Sequence, residues 1–152
     1  MYRTRLAEPR DTEATRAIYN VEVASSTVTF DLVPRTAAEQ LAWIEEHSGG
    51  HPAIVAVDGD QTVVGFGSLS PYRPRPAYAP TVEDSVYVRR DRRGAGVGKL
   101  LMDGLYQIAV QRGCSRVEWT TDTSNQAAQA FYESLGTKPL ATKIFYRASD
   151  IS

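Results

Sequence analysis

Several residue types are scarce in this chain, and each shortage limits what the protein can be. Cys114 is the single cysteine among 152 residues, so no disulfide can form within the chain. No apolar run approaches the ~18 residues of a membrane-spanning helix, and the opening MYRTRLAEPRD lacks the apolar segment of a signal peptide. These shortages predict a protein of the reducing cytoplasm with no membrane partner.

Strong net charge and clustered metal ligands are also missing from the sequence. The formal net charge is −1, which gives no electrostatic basis for binding nucleic acid as a main role. The two histidines, His47 and His51, stand far from Cys114 and from any cluster of carboxylates. We therefore expect no metal site.

The composition is that of one ordinary globular domain, which we assign to residues 1–152. Hydrophobic residues make up 42% of the chain and charged residues 23%, which suits a single core. Periodicity and turn residues predict the order βααβββαβαβ, typical of a mixed α/β sheet covered by helices on both faces. The predicted strands span residues 2–7, 53–57, 62–69, 81–88, 117–121 and 140–147, with an Asp-Gly hairpin turn at residues 58–60.

Capping residues predict where the helices begin and end. Asp11 is the expected N-cap of the first helix, and Thr36 with Glu39 forms a capping box at the second. Gly113 should end the third helix, and Asn125 should cap the fourth.

The stretch from Val86 to Met102 combines a strand, a basic turn, alternating glycines and a helix. Such a turn aims several backbone N–H groups at one point, which favours binding of a phosphate group. The dinucleotide-binding G-x-G-x-x-G motif fails because Lys99 stands where the third glycine should be. The Walker A motif fails on its spacing and because Leu100 replaces the Ser or Thr. The pattern R-x-x-G-x-G holds over residues 93–98.

Placed between a strand and a helix, this turn resembles the coenzyme A pyrophosphate loop of the GNAT (GCN5-related) acetyltransferases. The segment from Asn125 to Gly136 resembles the family's N-x-x-A-x-x-F-Y-x-x-L-G signature. The resemblance implies the GNAT fold across the chain, acetyl-CoA as cosubstrate, a Val88 N–H that meets the thioester oxygen, and Tyr132 as acid for the thiolate. The implied cofactor-binding residues are Tyr87, Val88, Arg93, Gly94, Ala95, Gly96, Val97, Gly98, Lys99, Asn125 and Tyr132.

Two further segments resemble the phosphinothricin and methionine sulfoximine acetyltransferase group of that family. Residues 78–88 match Y-x-x-T-V-E-x-S-V-Y-V, and residues 19–30 match Y-N followed by S-T-V-x-F. By resemblance, Glu83 is the general base, and an arginine fork meets a substrate carboxylate. The implied substrate-binding residues are Phe30, Arg73, Arg75, Tyr78 and Glu83. Arg75 and Thr137 depart from the group, which tends to have aromatic residues there.

Acetyl transfer to an amine requires the ammonium group to lose a proton before it attacks. A peptide α-amino group has a pKa of about 8 and a lysine side chain one of about 10.4, which favours an amino-acid-like acceptor. We expect direct attack in a ternary complex, because Cys114 offers no obvious acyl-carrying nucleophile. The alternatives are a peptide Nα-acetyltransferase and a non-catalytic acyl-CoA-binding regulatory module. The family resemblance also implies a homodimer.

Overall fold

The computed structural model describes residues 1–25, 33–71, 81–121 and 123–140, together with Tyr146 and Ala148. The strands are β1 (Arg3–Leu6), β2 (Ala53–Val57), β3 (Val63–Pro71), β4 (Thr81–Val88) and β5 (Arg116–Glu118). The helices are α1 (Thr12–Ser25), α2 (Ala37–Glu46), α3 (Val97–Gln111) and α4 (Gln126–Ser134), with short 3-10 turns at Pro9–Asp11 and Arg90–Arg92. This is the predicted order up to the last strand, which falls mostly on residues outside the described part.

The described strands form one mixed sheet in the order β1-β2-β3-β4-β5. The first three pairings are antiparallel, and β4 pairs with β5 in parallel through Val82 opposite Val117. A parallel neighbour needs a crossover connection, which α3 supplies between β4 and β5. The predicted mixed α/β architecture is confirmed.

Helix α3 covers one face of the sheet at very short range. Its Leu101 and Leu105 are fully buried and pack in one core with Ile54 and Val64. A Cβ atom at Gly67 of β3 would lie 3.0 Å from Leu105 Cδ1 and 2.9 Å from the Ser85 carbonyl oxygen. The glycine is therefore required for the close approach of α3 to the centre of the sheet.

Helix α1 packs on the opposite face. Side chains alternate along β2, so that Val55 and Val57 pack with Ile18 and Tyr19 of α1, whereas Ile54 packs toward α3. Every residue of β2 is buried. A strand that is apolar on both faces is expected at the centre of a sheet covered on two sides.

Three predicted helix ends are confirmed. The Thr36 hydroxyl accepts the Glu39 N–H at 3.1 Å, while the Glu39 carboxylate accepts the Thr36 N–H at 2.8 Å. Gly113 follows α3 with a φ of 77°, and the Asn125 side-chain oxygen accepts the Ala128 N–H at 3.1 Å. Two capping side chains and one glycine set these boundaries locally, so the sequence alone was sufficient to place them.

Two local predictions need correction. Asp11 directly precedes α1, but its carboxylate turns back to accept the Glu8 N–H at 2.8 Å, because Arg5 holds it there with two hydrogen bonds of 2.8 Å. The turn between β2 and β3 is not of the Asp-Gly type. The Asp58 carboxylate holds it by accepting the Asp60 and Thr62 N–H groups, and the left-handed residue is Gln61, with a φ of 65°.

Candidate active site

The β4 strand has an open edge beyond its pairing with β5. Parallel pairing runs from Thr81 opposite Arg116 to Glu83 opposite Glu118, whereas β4 continues to Val88. The predicted extension of β5 to residue 121 is wrong, since the strand ends at Glu118. Within the described residues, the two strands therefore separate after Glu83. The carboxyl-terminal part of β4 has no β5 neighbour.

The hydrogen-bond alternation shows which backbone groups face that edge. Arg89 N–H donates to the Val64 carbonyl oxygen at 2.8 Å, in line with the β3–β4 register. Bonded pairs alternate along an antiparallel ladder, so every second residue of β4 turns its N–H and C=O away from β3. Beyond the stretch that pairs with β5, the residues that face the open edge are Val86 and Val88. The edge thus offers a row of backbone donors and acceptors to an extended ligand.

The glycine-rich turn lies directly beyond the carboxyl end of this edge. Gly94 and Gly96 have φ values of 78° and 88°, and Gly96 is the N-cap of α3. Only glycine adopts this left-handed backbone without strain. Gly98 lies in the first turn of α3, where a Cβ would come within 2.9 Å of the Phe131 ring of α4. The glycines therefore shape the N-terminus of α3, whose first-turn N–H groups can bind an anion.

The arginines of the turn are held by carboxylates. Arg93 lies 2.7 Å from the buried Glu22 of α1, and Arg90 lies 3.3 Å from the same oxygen. Arg92 pairs with Asp58 at 3.3 Å. Glu22 was missed by the sequence reasoning, because 71 residues separate it from Arg93. It ties the predicted pyrophosphate loop to α1.

Glu83 lies half-buried on the sheet face that carries α1 and α2. Alternation along β4 puts it on the same face as Tyr87, which packs against the α1 core. Ser70 of β3 and Glu118 of β5 are its register neighbours. The Ser70 hydroxyl lies 3.4 Å from His47 Nε2 of the α2 C-terminus. Of the other predicted substrate-binding residues, Phe30, Arg73, Arg75 and Tyr78 lie outside the described residues.

Tyr132 lies on α4, whose N-cap is Asn125, and packs on the α3 side of the sheet, opposite the face of Glu83. The Tyr132 ring is 5.2 Å from Trp119 and 5.4 Å from Phe131, centroid to centroid. Burial, with a further contribution from Asp84, raises the pKa of Tyr132 above its ordinary value. The phenol is thereby made a weaker acid toward a thiolate than a free tyrosine.

Asp84 is a second residue that the sequence reasoning missed. It is only 5% exposed, and its Oδ2 atom has no hydrogen-bond partner within the described residues. Burial, aided by the charge of Glu83, raises the pKa of Asp84 to about 7. The signal was present in the sequence, since a carboxylate between Val82 and Val86 of one strand must share their apolar face.

Two absences hold for the described residues alone. No group of three or more His, Cys, Asp or Glu side chains is arranged to hold a metal ion in this part of the chain. Over the same residues, none of the helices has the length and apolar character needed to cross a membrane.

Comparison with known proteins gives one consistent family. The Acetyltransferase (GNAT) family profile matches residues 15–137. YwnH of Bacillus subtilis, provisionally named a phosphinothricin acetyltransferase, is 40% identical over 109 residues, 72% of this chain and 67% of that protein. The L-methionine sulfoximine/L-methionine sulfone acetyltransferase of Pseudomonas aeruginosa is 34% identical over 121 residues, 79% of this chain and 70% of that protein.

Solved structures give the same result. The phosphinothricin acetyltransferase of Sinorhizobium meliloti in complex with AcCoA has a TM-score of 0.83 at 28% identity, covering 89% of this chain and 74% of that one. The ribosomal-protein-alanine N-acetyltransferase of Brucella melitensis has a TM-score of 0.82 at 29% identity, covering 88% and 82%. The predicted fold, enzyme class and acetyl-CoA cosubstrate are thus confirmed. The chain belongs to the GNAT family of N-acetyltransferases.

Proposed function

We propose that the protein transfers the acetyl group of acetyl-CoA to the amino group of a small, amino-acid-like molecule, by direct attack in a ternary complex with Glu83 as general base. The observation that carries the proposal is the position of Glu83, which is the last residue of β4 to pair with β5 and stands where the open edge begins. The base and the backbone donors of the edge then belong to one strand, which fixes their relative positions.

The open edge and the glycine-rich turn together suit acetyl-CoA. Backbone groups of Val86 and Val88 would bind the extended pantetheine arm, and one of these N–H groups would donate to the thioester oxygen as it gains negative charge. The first-turn N–H groups of α3, with Arg93 and Lys99, would bind the pyrophosphate. The Asn125 carboxamide would contact the arm from α4, since only its oxygen is used in capping the helix.

The amine would approach from the α1–α2 face, where Glu83 lies. The Glu83 carboxylate accepts a proton from the acceptor ammonium, directly or through water, and the free amine then attacks the thioester carbon. The C–S bond breaks with its electron pair on sulfur, and the nitrogen loses its second proton to solvent through Glu83. The CoA thiolate takes one proton from the Tyr132 hydroxyl, which solvent then replaces. A positioned general base of this kind contributes about 10²–10⁴-fold to a rate. Glu118, beside Glu83 in the register, adds a second negative charge that favours a cationic acceptor at this face.

The acceptor is proposed to carry a carboxylate as well as an amine. Methionine sulfoximine and phosphinothricin, named for the relatives, are amino acids. Arg73 and Arg75 would provide the guanidinium groups that bind the substrate carboxylate, with Phe30 and Tyr78 completing the acceptor site.

A panel of amines tests this proposal through the release of free CoA thiol. The panel contains phosphinothricin, methionine sulfoximine, free amino acids, polyamines and a short peptide with an N-terminal alanine. Each amino acid is paired with its decarboxylated amine, which removes the carboxylate and keeps the amino group. We expect turnover of amino acids and at least tenfold lower kcat/KM for the decarboxylated partners, equivalent to ~1.4 kcal/mol of recognition.

Other outcomes would point to another function. Faster turnover of the alanyl peptide would favour a peptide Nα-acetyltransferase, in keeping with the Brucella melitensis neighbour. Tight binding of acetyl-CoA without CoA release for any amine would favour a non-catalytic regulatory module. We also propose a homodimer in the cytoplasm, which light scattering and cell fractionation test without reference to the substrate.

A further inference from the structure

His47 stands at the C-cap of α2 with its imidazole ring held from two directions. The ring stacks on Trp43, centroid to centroid at 4.3 Å, and the Trp43 carbonyl oxygen lies 2.8 Å from its Nδ1 atom. The His47 carbonyl oxygen accepts the Ala53 N–H at 2.8 Å, which joins the end of α2 to the start of β2. A side chain fixed by both packing and hydrogen bonds is suited to positioning another group.

The contact with Trp43 determines which ring nitrogen of His47 carries the proton. A carbonyl oxygen can only accept, so the 2.8 Å distance assigns the proton of the neutral ring to Nδ1. Nε2 is then a hydrogen-bond acceptor, and it lies 3.4 Å from the Ser70 hydroxyl oxygen. The Ser70 hydroxyl therefore donates its one proton to His47, and the lone pairs of its oxygen point away from the imidazole ring.

Ser70 lies beside the proposed general base. Strand β3 pairs Ser70 with Glu83 of β4, and β5 places Glu118 on the other side of Glu83. Residues directly opposite each other in an antiparallel pair have Cβ atoms about 5 Å apart on the same face of the sheet. One nitrogen atom can therefore lie within hydrogen-bond reach of both the Ser70 oxygen and the Glu83 carboxylate. Both residues are half-buried, so a small molecule can reach them.

The two oxygens match the hydrogen-bonding capacity of a substrate amine. The nitrogen of a neutral primary amine carries one carbon substituent, two N–H groups and one lone pair, in tetrahedral directions. When Glu83 accepts one N–H and Ser70 accepts the other, the direction of the lone pair is fixed toward the thioester carbon at the β4 edge. Holding a nucleophile in its attacking orientation is a large source of enzymatic rate enhancement.

We propose that Ser70 is a substrate-binding residue whose oxygen accepts an N–H of the substrate amine, and that His47 is the positioning residue that keeps this oxygen an acceptor. The inference rests on the proposed function, because it requires a substrate amine at Glu83. It adds to that function the means by which the nitrogen lone pair is directed.

No proton passes through Ser70 or His47 in this arrangement. Glu83 takes the first proton of the ammonium group and releases it to solvent before the nitrogen attacks the thioester carbon. The N–H held by Glu83 supplies the second proton, which is lost once the C–N bond has formed and the C–S bond breaks with its electron pair on sulfur. The N–H held by Ser70 remains and becomes the N–H of the amide product.

Nitrogen NMR tests the protonation of His47 without any substrate. The chain has two histidines, so a His51→Gln variant assigns the signals of His47. In alkaline solution, where imidazole rings are neutral, we expect the His47 proton on Nδ1 and a shift of the Nε2 signal in Ser70→Ala. A proton on Nε2, or an Nε2 signal that Ser70→Ala leaves in place, overturns the proposal whatever the activity of the enzyme.

The kinetic test measures kcat/KM for the substrate amine at saturating acetyl-CoA. Ser70→Ala removes the oxygen and should lower kcat/KM about tenfold, as expected for one lost hydrogen bond. His47→Phe keeps a ring on Trp43 but lets the Ser70 hydroxyl rotate, so we expect a loss of about fivefold. His47→Gln supplies an oxygen that can accept from Ser70, and it should recover most of that loss. The Kd for acetyl-CoA should be unchanged in all three variants.

A double variant separates positioning of Ser70 from a merely structural role of His47. In the Ser70→Ala background, His47→Phe should lower kcat/KM by less than about twofold, because the hydroxyl that it positions is missing. A full further loss of about fivefold in that background would mean that His47 acts through packing, and would overturn its role. His51→Phe, at the other histidine of the chain, is the matched control and should stay within about twofold of the wild type.

Failure of this inference is distinguishable from failure of the proposed function. A wild type that acetylates amines, with Ser70→Ala equally active, overturns the role of Ser70 and leaves the acetyltransferase with Glu83 as its base intact. A wild type that releases no CoA with any amine rejects the proposed function and this inference with it.

Discussion

Asp11 and Asp84 are almost equally hidden from solvent, at 3% and 5% exposure, but their surroundings differ. Burial tends to raise the pKa of Asp11, yet hydrogen bonds from Arg5 and from the Glu8 N–H outweigh it and lower that pKa. Asp84 has no such partner within the described residues, and its pKa rises to about 7. Partnership, rather than depth, decides whether a buried carboxyl is charged.

The difference separates a structural carboxylate from a chemically available one. Asp11 joins β1 to the start of α1 through a two-pronged ion pair with Arg5, and its charge is fully used there. Glu22 is of the same kind, since Arg93 and Arg90 share one of its oxygens. Asp84 has no comparable ion pair within the described residues, so its carboxyl is not committed to holding the fold together.

The largest expected effect is a pH dependence of stability due to Asp84. A carboxyl whose pKa is about 7 when folded and 3.8 when unfolded binds its proton more tightly in the folded state. Stability is therefore lost as the pH rises from about 4 to 7, by up to ~4 kcal/mol. Urea unfolding at several pH values should show that loss in the wild type, and Asp84→Asn should lack it. Equal pH slopes for the two proteins would remove the contrast with Asp11.

The next effect is the loss of the Asp11–Arg5 pair. Asp11→Ala leaves the half-buried Arg5 guanidinium without its partner and should destabilise the fold by about 3 kcal/mol at neutral pH. Because the folded-state pKa of Asp11 is lowered, its contribution is present above pH ~4 and is lost at lower pH. Urea unfolding measures the loss in free energy of unfolding, with Asp60→Asn at an exposed position as the control. A shift below 1 kcal/mol would contradict the structural role.

A smaller effect is expected at Glu22, where a paired carboxylate meets the coenzyme loop. Glu22→Gln removes the charge that pairs with Arg93 and Arg90, so the glycine-rich loop becomes less well ordered. We expect the KM for acetyl-CoA to rise about fivefold, equivalent to ~1 kcal/mol, with little change in kcat. A lower KM would show instead that Glu22 competes with the pyrophosphate for Arg93. Glu13→Gln, which removes an exposed α1 carboxylate paired with Arg16, is the matched control.

Much of the fold could be predicted because its signals are local. The alternation of apolar and polar residues predicted the strands, and the capping box of Thr36 and Glu39 predicted the start of α2. Each signal is contained in a few consecutive residues. The hairpin turn failed for an equally local reason. The Asp58 carboxylate accepts two N–H groups of the turn, so Gln61 rather than Gly59 takes the left-handed backbone.

The site was less predictable because its geometry depends on distant residues. The end of β5 at Glu118 and the pairing of Glu22 with Arg93 each depend on contacts between segments far apart in the chain. Sequence placed Glu83 correctly on the strand before the turn. It gave no weight to Asp84, although strand periodicity alone puts that carboxyl on the apolar face. A mismatch between residue type and face therefore identifies, from sequence alone, a carboxyl that the structure then shows to be buried.

The most direct test of the proposed mechanism compares Glu83→Gln with Glu118→Gln. Both variants remove one carboxylate from neighbouring positions on the same face of adjacent strands. We predict that Glu83→Gln lowers kcat at least 100-fold while the Kd for acetyl-CoA is unchanged, as expected for loss of a general base, and that Glu118→Gln stays within about threefold of the wild type. Equal kcat values for the two variants would contradict the assignment of Glu83 as the base.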